Sequence, residues 1–115
     1  MPVEVRKQGR VSVLAVTGKV TVGSDDVDLR DRVHDLLDDG ERELVIDLTE
    51  VSFLDSAGLG EIVSCAKRVV EQGGTLRLAM SPGGRPAKLF SVTSLDRVFD
   101  IYPDVKGATE SFEQS

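Results

Sequence analysis

Cysteine, histidine and the aromatics are scarce in this chain: one Cys (Cys65), one His (His34), no Trp, and 4% aromatic residues in 115. A lone cysteine excludes an intramolecular disulfide and any cysteine-built metal centre. With so few rings, the core must be made of Val, Leu, Ile and Ala. Basic residues are also short, 14 against 20 acids, for a net charge of −6 and a pI near 4.7. Binding a polyanion depends on Lys and Arg displacing counterions from phosphates, so no nucleic-acid partner is expected. Docking on anionic lipid is disfavoured on the same ground. A basic or apolar protein surface suits the chain better. Long apolar runs are missing too: nothing approaches the roughly 20 residues of a membrane helix, and Met1–Arg6 lacks the apolar stretch of a signal peptide. The expected setting is the reducing cytoplasm, with no membrane and no cofactor.

What is present reads as one α/β domain over residues 1–115, at 40% hydrophobic and 30% charged. A chain this size buries roughly two-thirds of its unfolded surface and needs no staple. Val3 and Val5, then Val11, Val13 and Ala15, alternate with polar residues around Gln8-Gly9-Arg10, which predicts an opening hairpin whose second strand runs to Gly18. Ser24 or Asp25 would cap a first helix. Leu29, Val33, Leu36 and Leu37 give its buried face, and Gly40 ends it. Leu44–Leu48 has the continuous apolar character of a buried strand. A second helical stripe follows in Leu59, Ile62, Val63, Ala66 and Val70, closed by Gly73-Gly74. Thr75–Met80 reads as a strand, and Pro86 starts a third helix burying Ala87, Leu89, Phe90 and Val92. Val98–Tyr102 and Val105–Phe112 predict a last strand and a last helix. Alternating strands and helices imply a largely parallel sheet.

The segment from Asp47 to Gly60 stands apart. A buried strand ends, the chain turns, and a helix begins with Ser56 near its cap and Gly58 and Gly60 in its first turns. A helix start presents unpaired N–H groups and partial positive charge, so a phosphate on the Ser56 oxygen could be held by backbone. The glycines weaken the helix start and leave room for another protein's surface. The plainer alternative is that Ser56 is only an N-cap.

Val45-Ile46-Asp47-Leu48 followed by Val51–Gly60, with Asp55-Ser56-Ala57-Gly58-Leu59-Gly60 as the most specific part, resembles the signature of STAS domains of the bacterial anti-sigma-factor antagonist family. Gly73-Gly74, Ser81-Pro82, Thr93-Ser94-Leu95 and Val98–Tyr102 fit the same pattern, so the resemblance spans nearly the whole chain. It implies a mixed β-sheet of four to five strands opened by a hairpin, packed by about four α-helices that lie mostly on one face. It also implies a partner, an anti-sigma factor with serine kinase activity, bound by the unphosphorylated form. That kinase would modify Ser56, and a serine phosphatase would reset the switch. The partner-binding residues carried over are Asp55, Ser56, Ala57, Gly58, Leu59 and Gly60, with Thr21 in the loop after the second strand. Ala57 stands where many members have a second Ser, and Thr21 where many have Asp. The same resemblance admits a second role, as a scaffold or accessory subunit of a stress-signalling or lipid-transport complex. Either way the domain would be a monomer or weak homodimer.

Enzymatic readings find little footing. Ser56 is not in a Gly-x-Ser-x-Gly elbow, because position 54 is Leu54, and His34 falls on a helix flank. Gly58-x-Gly60 alone is no dinucleotide fingerprint. Cys65 lies beside an apolar stripe, as a packed thiol would. Asp25, Asp26 and Asp28 lack the Gly and distal Glu of a calcium loop. The expectation is a binding module with no catalytic residue and no metal.

Overall fold

The computed structural model describes residues 3–20 and 26–113, the side chains of 26–28 excepted. The expected cap at Ser24 or Asp25, the acidic side chains of 25–28 and the loop position Thr21 lie outside the described residues. Strands β1 (Val3–Gln8) and β2 (Val11–Val20) pair antiparallel across the Gly9 turn, where φ is +63°. Helix α1 (Asp26–Asp38) leads through Gly40, at φ +90°, into β3 (Glu43–Leu54). Helix α2 (Ser56–Glu71), β4 (Thr75–Ala79) and α3 (Arg85–Val92) follow. A 3-10 turn (Leu95–Arg97), β5 (Ile101–Tyr102) and α4 (Val105–Glu113) complete the chain. The sheet order is β1-β2-β3-β4-β5, with every pair after the first parallel. This is the mixed five-strand, four-helix α/β architecture expected.

Side-chain alternation sends the two sets of strand residues into two cores. Leu14, Val16, Leu44, Ile46, Leu48, Leu76 and Leu78 meet Leu29, Val33 and Leu37 of α1, Ile62, Cys65 and Val69 of α2, and Phe90 of α3. Val11, Val13, Val45 and Ala79 project to the other face, where Ala108 and Phe112 of α4 cover them. Three helices therefore share one face and α4 takes the reverse. There Arg77 stacks over the Phe112 ring at 4.2 Å and donates to the Ser111 hydroxyl at 2.8 Å, fixing α4 to the sheet.

Several elements depart from the pattern reading. Strand β3 does not end near Leu48 but continues to Leu54, alongside β2 to Val20. Register shifts between Ala15 and Thr17 and between Gly18 and Lys19 make this possible. A bulge inserts a residue and breaks strict alternation, so Leu48, Val51 and Leu54 reach the same core at intervals of three. The buried Asp47 sits at this irregularity, its Oδ1 accepting from the Thr49 N–H at 2.9 Å and the Thr49 hydroxyl at 2.6 Å. In α2 the inward face is Gly58, Leu59, Ile62, Cys65 and Val69, whereas Val63 and Val70 are exposed. In α3 Pro86 and Phe90 are buried and Val92 is outside. Val98 is exposed after the 3-10 turn, so β5 is only Ile101–Tyr102. Among the described residues no helix is long and apolar enough to cross a membrane.

Candidate functional site

The bulged extension of β2 and β3 brings Val20 and Leu54 side by side at the end of the sheet where α2 begins. Asp55 is the single residue between strand and helix, and it is tied on three sides. Its N–H donates to the Val20 carbonyl at 3.2 Å, its own carbonyl accepts the Leu59 N–H at 2.9 Å, and its Oδ1 accepts the Gly58 N–H at 2.9 Å. With φ −101° and ψ −178°, Asp55 is the N-cap. The capping duty expected near Ser56 thus falls on Asp55, and Ser56 is the first helical residue.

That one-residue difference changes what the hydroxyl is for. A side-chain oxygen at the N-cap satisfies N–H groups of the first turn; here a carboxylate already does so. Ser56 and Ala57 are exposed. Their N–H groups belong to the first turn, which has no carbonyl partner within a helix, and they lie at its partially positive end.

The structure separates the remaining expected residues into two groups. Gly60 is exposed, with nothing within 4 Å of where a Cβ would stand. Gly58 and Leu59, expected on the docking surface, face inward instead. Leu59 is part of the main core. A Cβ on Gly58 would lie 2.4 Å from the Val20 carbonyl oxygen and 2.8 Å from a Leu54 methyl, so this glycine lets helix and sheet approach each other. The outward-facing set is therefore Ser56, Ala57 and Gly60, with the half-buried Asp55 beside them. Thr21 lies outside the described residues.

Residues the sequence reading did not single out border this end of the sheet. Phe53 is half-buried, pairs with exposed Lys19 across the strands, and carries the Arg85 guanidinium 5.8 Å from its ring centre. Arg85 comes from the start of α3, 32 positions away in sequence, and no local pattern connects the two.

Groups with nucleophilic or basic chemistry lie elsewhere. Cys65 is buried, and burial, with the Glu61 charge adding to it, pushes its thiol up to about 12, so it stays protonated at neutral pH. His34 is on the exposed flank of α1, 3.4 Å from Asp38 one turn on. Among the described residues no group of three or more His, Cys, Asp or Glu is placed to hold a metal ion.

Comparison with known proteins places this geometry. A family model described as STAS domain matches residues 2–108. The anti-sigma-B factor antagonist of Bacillus subtilis (strain 168) is 33% identical over 108 residues, spanning 94% of this chain and 96% of that protein. The crystal structure of an anti-sigma factor antagonist from Mycobacterium paratuberculosis superposes with a TM-score of 0.84 at 25% identity, over 96% of this chain and 92% of that one. The Bacillus cell fate determinant SpoIIAA, solved in its phosphorylated form, shares the fold with a TM-score of 0.71. Its identity is 16%, over 96% of this chain and 99% of the other.

Proposed function

The chain belongs to the STAS domain family, where its relatives are anti-sigma-factor antagonists, and from that premise we propose that it is a partner-switching module controlled at Ser56. The observation that carries the reading is the division of labour at the start of α2: Asp55 caps the helix, leaving the exposed Ser56 hydroxyl outside the capping hydrogen bonds. Support comes also from a relative of the same fold that has a phosphorylated form.

In this reading the unmodified chain binds an anti-sigma factor that is also a serine kinase. The Ser56 oxygen attacks the terminal phosphorus of the kinase's ATP, ADP leaves, and the hydroxyl proton passes to the kinase. A serine phosphatase later hydrolyses the phosphate and restores the hydroxyl. The chain acts as a substrate and a binding surface, with no catalytic residue, metal or cofactor of its own. It works in the cytoplasm as one domain, monomeric or weakly dimeric, without nucleic-acid or membrane contact. Asp55, Ser56, Ala57 and Gly60 supply the contact surface, Gly58 and Leu59 shape it from inside, and Thr21 is carried over from the family as a further partner contact.

Phosphorylation adds about 1.5 to 2 negative charges, next to Asp55 in a chain already at −6. The helix end tolerates that charge, because the N–H groups of Ser56 and Ala57 can turn to the phosphate oxygens. A partner surface fitted to a neutral hydroxyl cannot. A loss of about 3 kcal/mol would weaken binding more than a hundredfold, enough to exchange partners.

Capture from the native lysate with wild type, Ser56→Ala and Ser56→Asp, read by mass spectrometry, tests this. A kinase-like ATPase retained by wild type and Ser56→Ala but lost from Ser56→Asp is the expected result. Equal recovery of one large assembly by all three would overturn the switch and assign a scaffold role.

A further inference from the structure

The outward face of α2 continues well beyond its first turn. At 3.6 residues per turn, Ser56, Gly60, Val63, Lys67 and Val70 fall within an arc of about 80°. Val63 is 37% exposed and Val70 66%. Beside the distal half of this stripe, a groove of about 390 Å³ lies between α2 and the 3-10 turn, lined by Leu76, Leu95, Val98 and Phe99 as well as the two valines. Val98, on its far wall, is 73% exposed. Lys67, Glu71 and Asp100 form the polar border; Asp100 lies 3.7 Å from Arg77, and the chain as a whole carries a net charge of −6.

Folding accounts for only part of this apolar surface, since Val70 and Val98 stay about two-thirds exposed or more. A valine left that exposed gains little burial, and in α2 the β-branch of Val70 makes it a poorer helix former than Ala, Lys or Glu. Contact area gives the complementary argument. The outward residues of the first turns, Ser56, Ala57 and Gly60, have almost no side-chain surface. A specific, stable interface buries roughly 800 Å² per partner around an apolar centre. The helix start cannot provide that centre; the distal groove can. Ser56 and Val70 are about 21 Å apart along the helix, and a round patch of such an area is about 30 Å across, so one partner can reach both when its apolar contact lies toward the distal side of the patch.

We infer that the anti-sigma factor that meets Ser56 also seats an apolar segment, flanked by basic residues, in the groove between α2 and the 3-10 turn. This rests on the reading of Ser56 as the switch and gives that contact two parts. The groove supplies apolar affinity and the helix start supplies control. A phosphate on Ser56 acts on one part and leaves the other in place. Parts this far apart contribute independently, so groove substitutions lower the affinity of wild type and of Ser56→Asp by the same factor.

The test titrates the purified ATPase recovered by wild type against wild type, Ser56→Asp, Val70→Lys, Val98→Lys and the double variant Ser56→Asp/Val70→Lys. Val92→Lys serves as control, since Val92 is 75% exposed on α3 and does not line the groove. Circular dichroism of each surface variant verifies the fold. The expected result is at least tenfold weaker binding for Val70→Lys and Val98→Lys, and no change for Val92→Lys. Undiminished affinity of both groove variants, with Ser56→Asp still impaired, overturns the groove and leaves the switch standing. Impaired groove variants beside an unaffected Ser56→Asp keep the groove and overturn the switch. Should sedimentation show the groove variants dissociating a homodimer while the ATPase binds normally, a second copy is the occupant and the inference fails.

Discussion

Gly58 rests against the end of β2 so closely that a methyl group on its Cα would stand 2.4 Å from the Val20 carbonyl oxygen. That same oxygen accepts the Asp55 N–H. The last residue of β2 thus both anchors the strand-to-helix junction and sets how near α2 comes. The position of Ser56 follows from a strand three elements earlier, not from its own neighbours alone.

Gly58→Ala must push the helix off the sheet, because the atom it meets first is backbone. Overpacking of this kind costs about 1 to 3 kcal/mol, and each kcal/mol lowers the melting midpoint of a chain this size by roughly 4 °C. Thermal unfolding followed by circular dichroism measures it. An unchanged midpoint would mean that helix and strand are not held at this separation.

Asp55 provides a second handle, because its cap and its charge can be separated. Asp55→Ala removes the acceptor for the Gly58 N–H and is expected to cost about 1 kcal/mol. Asp55→Asn keeps an acceptor oxygen and should cost only a fraction of that. Urea titration of the two variants distinguishes them, and equal destabilisation would show that charge at the helix end, not the hydrogen bond, matters.

Much of this arrangement was legible in the sequence, for reasons that also explain what was not. The Asp55–Gly60 string, the alternation of Val11 and Val13 and the apolar run Leu44–Leu48 are local patterns, and the fold respects them. The length of β3 was hidden because the register shifts opposite Ala15 and Gly18 reset its alternation between Asp47 and Glu50 and again at Ser52. Val63 and Val70 looked like core because periodicity marks apolar residues without saying which helix flank another element covers. Gly58 was read as room for a partner, since nothing local reveals that Val20 lies against it. The pairing of Arg85 with Phe53 was invisible for the same reason.

Cys65 predicts an alkaline weakness. In the fold its thiol is raised to about 12, against 9.0 as the ordinary value. Between those values the native state holds a proton that the unfolded chain releases, so stability present below pH 9 is lost as pH rises toward 12. Cys65→Ala should flatten this alkaline limb of a stability–pH curve while lowering stability at neutral pH through the lost packing. In wild type, native Cys65 should resist iodoacetamide at pH 8 and react once urea unfolds the chain. Rapid native alkylation would show that the thiol is reached without unfolding.

Gly60 separates stability from function most directly. It lies in the second turn of α2, exposed, with open space where a Cβ would go. Replacing such a glycine with alanine stabilises a helix by roughly 0.5 to 1 kcal/mol, so Gly60→Ala should melt a few degrees above wild type. Its methyl would project from the same face as the Ser56 hydroxyl, one turn along. If a partner surface closes over that turn, the stabilised variant binds the anti-sigma factor more weakly, and the two effects have opposite sign. Melting curves and binding titrations on one preparation decide it. A variant that is more stable and binds equally well would remove Gly60 from the docking surface and leave Asp55, Ser56 and Ala57 as its part at the helix start.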